Sequence, residues 1–263
     1  MAVRTEIWPN GTPNWVDLST RDLSGTVLFY TALFGWEFAS AGEGAGGYLL
    51  AVKEGRHVAG IGPAQDKHQP TVWTTYLAHD DVESLVPRIE KAGGTILLPP
   101  MDVLSAGRML IAAGSDGAVF GVWQAKEHIG AERVNEHGAL AWNEVQTRDL
   151  AATKTFLSDV FGHTFEDIAS DGFDYITFTA GAGPVGGVQV MDERMPKDAP
   201  NHWLTWFASD DVDSAAETAV VYGGSVLVGP FDSPVGRMAV LVGTQGETFG
   251  VITVSGSGDA AGA

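Results

Sequence analysis

Trp15-Val16-Asp17-Leu18-Ser19-Thr20-Arg21-Asp22-Leu23 returns 127 residues later as Trp142-Asn143-Glu144-Val145-Gln146-Thr147-Arg148-Asp149-Leu150. Trp, Thr, Arg, Asp and Leu recur in place, and an acid answers an acid at Asp17 and Glu144. The match continues through Thr26/Thr153, Phe29/Phe156, Phe34-Gly35/Phe161-Gly162 and Phe38/Phe165. A second pair, Trp73 to Val82 and Trp203 to Val212, lies at offset 130, and both copies end in Asp-Asp-Val. Gly93-Gly94 is repeated by Gly223-Gly224, Gly107-Arg108-Met109 by Gly236-Arg237-Met238, and Phe120-Gly121 by Phe249-Gly250. Self-similarity at a fixed offset means a duplicated unit. The chain therefore divides into halves 10–125 and 139–254, joined by a polar linker at 126–138.

Within a half the hydrophobic pattern predicts two modules of βαβββ form. The first opens with a strand at about 13–19, then Asp22 as helix cap, then a helix at 23–34. Leu23, Val27, Tyr30 and Phe34 of that helix follow the 3.6-residue period. The second opens with a strand at 71–78 and caps its helix, 82–92, with Asp80 or Asp81. Val82, Leu85, Val86, Ile89 and Ala92 form the apolar stripe there, and Gly93-Gly94 ends it. Pro87 inside the stripe is expected to weaken or kink the helix. Short strands follow near 46–53, 57–62, 108–113 and 119–124, and again near 173–180, 185–190, 237–243 and 248–253. Gly42–Gly47 reads as a flexible hairpin, because it lacks the Lys-Ser/Thr of a phosphate loop. The class is α+β, with four modules in all. Residues 255–263, rich in Gly, Ala and Ser, are expected to be a disordered tail.

The composition narrows the chemistry. With 263 residues, 15 Lys+Arg and 33 Asp+Glu, the net charge is −18. That disfavours nucleic acid and anionic membrane as partners. No apolar run approaches the ~20 residues of a membrane span. Met1–Pro9 lacks the basic-then-apolar pattern of a secretory signal, so the expected location is the cytoplasm. The absence of cysteine excludes disulfides, thiolate-bound metals and thiol catalysis. No Ser-His-Asp order or dinucleotide fingerprint is present.

These motifs resemble the vicinal-oxygen-chelate superfamily, which includes glyoxalase I, extradiol dioxygenases and bleomycin-binding proteins. The resemblance rests on the strand followed by Arg-Asp-Leu and on the aromatic helices ending Leu33-Phe34-Gly35-Trp36 and Val160-Phe161-Gly162-His163. It rests also on the Asp-Asp-Val helices ending in Gly-Gly, and on the Gly-Arg-Met strands leading to Ser115-Asp116-Gly117 and Thr244-Gln245-Gly246. It covers residues 10–254. Gly11-Thr12-Pro13-Asn14-Trp15, His128-Ile129-Gly130-Ala131 and Pro200-Asn201-His202-Trp203 are similar to an actinobacterial two-domain group described as glyoxalase-like or as hydroxylases.

The resemblance implies two tandem cup-shaped domains of mixed sheet. It also implies a divalent metal, with ligands on the first and last strands of the modules. Those positions fall here on Trp15, Thr74, Trp142 and Leu204, and on Gly121 and Gly250, with His57 as a further candidate. None but His57 can ligate a metal, so no metal site and no cofactor are expected, although a divalent metal stays possible.

Residues sharing parity with the ligand positions face the cups. Trp15, Asp17 and Ser19 then face the first cup, opposite Thr74 and Tyr76. Trp142, Glu144 and Gln146 face the second, opposite His202, Leu204 and Trp206. Glu144 and His202 form a catalytic acid–base pair, half of a metal site, or a hydrogen-bonded structural pair, and the second half is the better candidate for chemistry. Trp15, Asp17, Thr74, Tyr76, Trp142, Gln146 and Trp206 are the candidate substrate contacts. Trp73 and Trp203 have core parity. Arg108 and Arg237 are expected to hold a helix-cap acid or loop carbonyls, and Arg21 and Arg148 to partner the capping acids Asp22 and Asp149. His128 and His137 in the linker are expected to be solvated.

Three functions fit. The first is a metal-independent protein that binds a small apolar or aromatic metabolite, in its catalytic form a hydroxylase-type tailoring enzyme of secondary metabolism. The second is a non-catalytic drug- or metabolite-sequestering protein, and the third a metal-dependent glyoxalase-type lyase. The expected partner is a small molecule, and the expected state a monomer or homodimer.

Overall fold

Each half pairs its strands into one open eight-stranded mixed sheet. The computed structural model describes residues 3–66, 69–170, 173–181, 183–193 and 195–254; the expected tail lies outside them. The first half runs β1 (Pro13–Thr20), α1 (Leu23–Phe34), β2 (Glu37–Ser40), β3 (Leu49–Lys53), β4 (Arg56–Pro63), β5 (Trp73–Ala78), α2 (Val82–Lys91), β6 (Thr95–Val103), β7 (Gly107–Ala113) and β8 (Val119–Ala125). The second runs β9 (Leu140–Thr147), α3 (Leu150–Phe161), β10 (Thr164–Ser170), β11 (Phe173–Thr179), β12 (Pro184–Val190), β13 (His202–Ala208), α4 (Val212–Val221), β14 (Ser225–Ser233), β15 (Gly236–Val242) and β16 (Thr248–Ile252). The sheet orders are β2-β3-β4-β1-β5-β8-β7-β6 and β10-β11-β12-β9-β13-β16-β15-β14. The α+β class and the four βαβββ modules are thus present. β2, β6, β10 and β14 received no bounds from the sequence. All four are edge strands, where pairing is one-sided. β6 and β14 also carry Pro99-Pro100 and Gly229-Pro230, which a sheet tolerates at its edge.

The capping acids act as their positions suggest. Asp22, Asp81, Asp149 and Asp211 accept from the backbone N–H of Gly25, Ser84, Ala152 and Ser214. Gly35 and Gly162 end α1 and α3 at φ 69° and 75°. α2 continues through Pro87, held by buried Val82, Leu85 and Ile89. The arginine expectations need correction. Arg21 and Arg148 do not partner the caps; they donate to the carbonyls of Gln69 and Pro196. Arg108 pairs with Glu83 in the first turn of α2 and with Asp102 across the hairpin. Arg237 does the same with Asp213 and Asp232. The arginines therefore tie an edge hairpin to a helix start, without touching the caps themselves.

The halves do not own separate cores. One cluster joins Phe29, Tyr30 and Phe34 of α1 and Trp73 of β5 to Phe207, Ala215, Leu241 and Phe249 of the second half. The other joins Leu85, Ile89 and Phe120 to Phe156, Leu157, Phe178 and Trp203. Trp73 and Trp203 thus lie in the core, as their parity implied. Where the sheets meet, the Thr75 and Thr205 hydroxyls both donate to Asn143 Oδ1, at 2.8 and 3.2 Å. Two ring clamps repeat the duplication across the interface. The Trp36 indole N–H donates to the Gly138 carbonyl (2.6 Å), and the equivalent His163 donates Nε2–H to the Gly11 carbonyl (2.8 Å). The linker is packed too, with Ala131 N–H on Asn14 and Gly138 N–H on Ala208.

Because each cluster draws on both halves, Phe29→Ala should cost about 3–5 kcal/mol. It should lower one common urea midpoint by circular dichroism and tryptophan fluorescence; two separated transitions would contradict a shared core. His163 is 1% exposed, its Nδ1 has no partner, and burial lowers its pKa from 6.5 to about 4. Its folded pKa lies below its unfolded one, so its contribution is complete above pH 6.5 and lost as pH falls toward 4. The loss is on the order of 3 kcal/mol. His163→Gln, compared with the parent chain, should flatten that part of the stability–pH curve.

Candidate functional site

The outward face of each sheet carries a carboxylate beneath aromatic rings. In the first cup the register sets Asp17 of β1 beside Gly60 of β4 and Thr74 of β5. Asp17 Oδ2 accepts from the Tyr48 hydroxyl (3.2 Å) and the Tyr76 hydroxyl (3.1 Å). The Trp15 indole N–H donates to Tyr48 Oη at 3.1 Å. Trp15, Tyr76 and Trp123 are buried, with Leu50, Met109 and Ile111 packed beside them.

The second cup repeats the pattern. Glu144 Oε2 accepts from the Tyr175 hydroxyl at 2.6 Å, and the Trp142 indole N–H donates to Tyr175 Oη at 2.7 Å. Gln146 Nε2 donates to Glu144 Oε1 at 2.6 Å. Trp206 replaces Tyr76. Its indole N–H is buried short of hydrogen-bond geometry but still favours the Glu144 charge.

Small residues on neighbouring strands make room for these rings. A Cβ on Gly60 would fall inside the Tyr48 phenol, and one on Gly187 inside that of Tyr175. Gly121 and Gly250 are likewise roofed by Tyr76 and Trp206. Gly121 and Gly250 are the last-strand positions where the family resemblance would put metal ligands. Each now holds a neighbour's ring. Among the described residues no group of three or more His, Asp or Glu could hold a metal ion. His57 is held by Glu132, its Nδ1 3.3 Å from Oε2. The donor set present does not fit a divalent metal.

Trp15, Asp17, Thr74 and Tyr76 are brought together in one cup, and Trp142, Glu144, Gln146 and Trp206 in the other. The Glu144–His202 pair does not form. His202 stands opposite Gln146, and its Nδ1 lies 2.9 Å from the Pro200 carbonyl, while Glu144 is satisfied by Tyr175 and Gln146. His128 is not solvated. It packs edge-on against Trp15 at 4.3 Å and near Trp123, and burial lowers its pKa to about 4. His137 is partly shielded, with Nδ1 accepting from the Asp210 N–H. Tyr48 and Tyr175 escaped the sequence reading. Their signal was present, since they recur at the same 127-residue offset, as do Gly60 and Gly187.

Burial raises both carboxylates, Asp17 to about 6 and Glu144 in the same direction, against the lowering effect of their donors. Asp17 can therefore hold or release a proton near neutrality. Its folded pKa exceeds the unfolded 3.8, so the stability it lends is complete below pH 3.8 and gone above about pH 6. Asp17→Asn, which keeps an acceptor for the phenols, should therefore raise the unfolding free energy at pH 8 by about 1–2 kcal/mol, read as a higher urea midpoint. It should leave the midpoint unchanged at pH 3.5; equal midpoints at both pH values would count against a buried, proton-holding Asp17.

The Glyoxalase/Bleomycin resistance protein/Dioxygenase superfamily model matches residues 12–122 and 139–250. The chain is 42% identical over 260 residues to "Putative glyoxylase CFP32" of Mycobacterium tuberculosis, covering 96% of this chain and 98% of that protein. It is 35% identical over 257 residues to "Anthracycline biosynthesis protein DnrV" of Streptomyces peucetius, covering 92% and 93%. The fold is similar to that of the Mn(II)-bound glyoxalase from Novosphingobium aromaticivorans, with TM-score 0.66, 18% identity and coverage of 93% and 82%. Family model and relatives, each spanning nearly the whole chain, agree with the duplicated eight-stranded sheets, and the chain belongs to the Glyoxalase/Bleomycin resistance protein/Dioxygenase superfamily.

Proposed function

We propose that this protein is a metal-independent member of the superfamily that binds a small apolar or aromatic metabolite in its tryptophan- and tyrosine-lined cups. We place it in secondary metabolism, in a tailoring role of hydroxylase type. The observation that carries the reading is the filled ligand position. Where a metal ligand would stand, Gly121 and Gly250 lie under Tyr76 and Trp206, and a buried acid bound by phenols occupies the cup floor. Aromatic walls offer stacking area for a planar ring, and one acid offers a hydrogen bond or a proton. The likeness to an anthracycline biosynthesis protein supports a planar polycyclic ligand and the metabolic setting.

Asp17 keeps accessible surface in its cup, whereas Glu144 is 6% exposed with both oxygens engaged. We therefore assign proton exchange to Asp17 of the first cup, and to Glu144 the bracing of the second cup's wall.

Titration of EDTA-treated protein with a hydroxyanthraquinone, followed by tryptophan fluorescence, tests the reading. Saturable quenching is expected, unchanged by Mn(II), Ni(II) or Zn(II), and weakened about tenfold by Trp15→Leu or Trp142→Leu, as loss of one stacking wall implies. Near-stoichiometric metal in the purified protein, or binding only after metal addition, would overturn it.

A further inference from the structure

We infer that the first cup is a site for an organic ammonium ion, a protonated primary or secondary amine on an apolar or aromatic body, with Asp17 Oδ1 as its acceptor. The inference rests on the proposed function and specifies the ligand class for one of the two cups. The two oxygens of Asp17 are used unequally. Oδ2 takes both phenol hydrogen bonds, from Tyr48 and Tyr76, and Oδ1 takes none from the described residues. Asp17, Tyr48, Leu50 and Thr74, on one face of the sheet, all keep accessible surface.

Among the described residues no cation answers this charge. Only burial and the two phenols bear on Asp17. The strand arginines are engaged elsewhere: Arg56 of β4 pairs with Glu132, and Arg108 of β7 is turned to the other face, where Glu83 and Asp102 hold it, while Met109 and Ile111 face the cup. The two imidazoles at the rim do not serve either. His57 is engaged by Glu132, and His128, with its pKa lowered to about 4, is neutral at pH 7.

A half-buried carboxylate without a counter-ion is costly, and a ligand that brings the cation recovers that cost. The walls favour the same ligand, because the faces of Trp and Tyr rings are electronegative and attract a cation. The net charge of −18 raises the local concentration of cations around the whole chain. An N–H is needed to meet Oδ1, which selects primary and secondary ammonium over quaternary. An anion would meet Asp17 unshielded, and a neutral ligand would leave Oδ1 uncompensated. The second cup lacks this opening: Gln146 stands where the first cup has Ser19, and its amide closes the second oxygen of Glu144.

The test is isothermal titration of the full chain at pH 7.5 with three isosteric probes: phenethylammonium, 2-phenylethanol and phenylacetate. The Trp15 indole N–H resonance locates the site. Phenethylammonium should bind at least tenfold more tightly than 2-phenylethanol, with phenylacetate weakest, and should shift the Trp15 signal. Asp17→Asn should cut the preference for the ammonium to under threefold while 2-phenylethanol binding persists. Equal binding of ammonium and alcohol to the parent chain, or a preference that survives Asp17→Asn, would overturn the inference and leave the aromatic-cup function standing. Failure of all three probes to bind, together with no hydroxyanthraquinone binding, would overturn both.

Discussion

Everything in this molecule depends on the helix-bearing faces of the two halves burying each other. Phe29 of α1 meets Phe249 of β16, at 6.3 Å between ring centres, and Tyr30 donates to the buried Glu247. On the other side Thr153 of α3 donates to Asp116 at 2.7 Å. Each half's last hairpin thus supplies an acid that holds the first helix of the other half. Neither sheet could leave that face in water, because it is lined by large apolar side chains. With those faces closed, both cups are turned outward.

That arrangement frees the cup floors to diverge. The backbone spacing of a sheet places Asp17 beside Gly60 and Glu144 beside Gly187 by register alone. The glycines then admit the phenols of Tyr48 and Tyr175 flat against the strand. Phenol hydrogen bonds, with indole N–H groups bonded in turn to Tyr48 and Tyr175, stabilise each carboxylate, and burial opposes its charge. The copies differ in one position with a large effect. Ser19 leaves the first carboxylate with an open oxygen, while Gln146 satisfies the second. Holding an acid in that state costs stability, as buried unpaired charges do, and such costs concentrate at functional sites.

Most of the fold was legible in the chain. The 127- to 130-residue repeat, the four capping aspartates and the apolar stripe of α2 are local patterns that follow from periodicity. The edge strands were not legible, because one-sided pairing and prolines erase the alternation. Asp17 and Glu144 were found by repeat and parity. The supposed Glu144–His202 pair shared only a face; a diagonal neighbour on a strand can still turn to its own loop, as His202 does toward Pro200.

By itself the sequence determined the duplication, the module pattern and which strand residues share a face, because offset and alternation are properties of the chain alone. Tertiary structure decided that the halves share their cores and that Tyr48 and Tyr175 reach the acids. It decided also that His128 is buried and that rings cover Gly121 and Gly250. Those outcomes depend on the close approach of segments far apart in the chain, and on which of several neighbours reaches a given oxygen first.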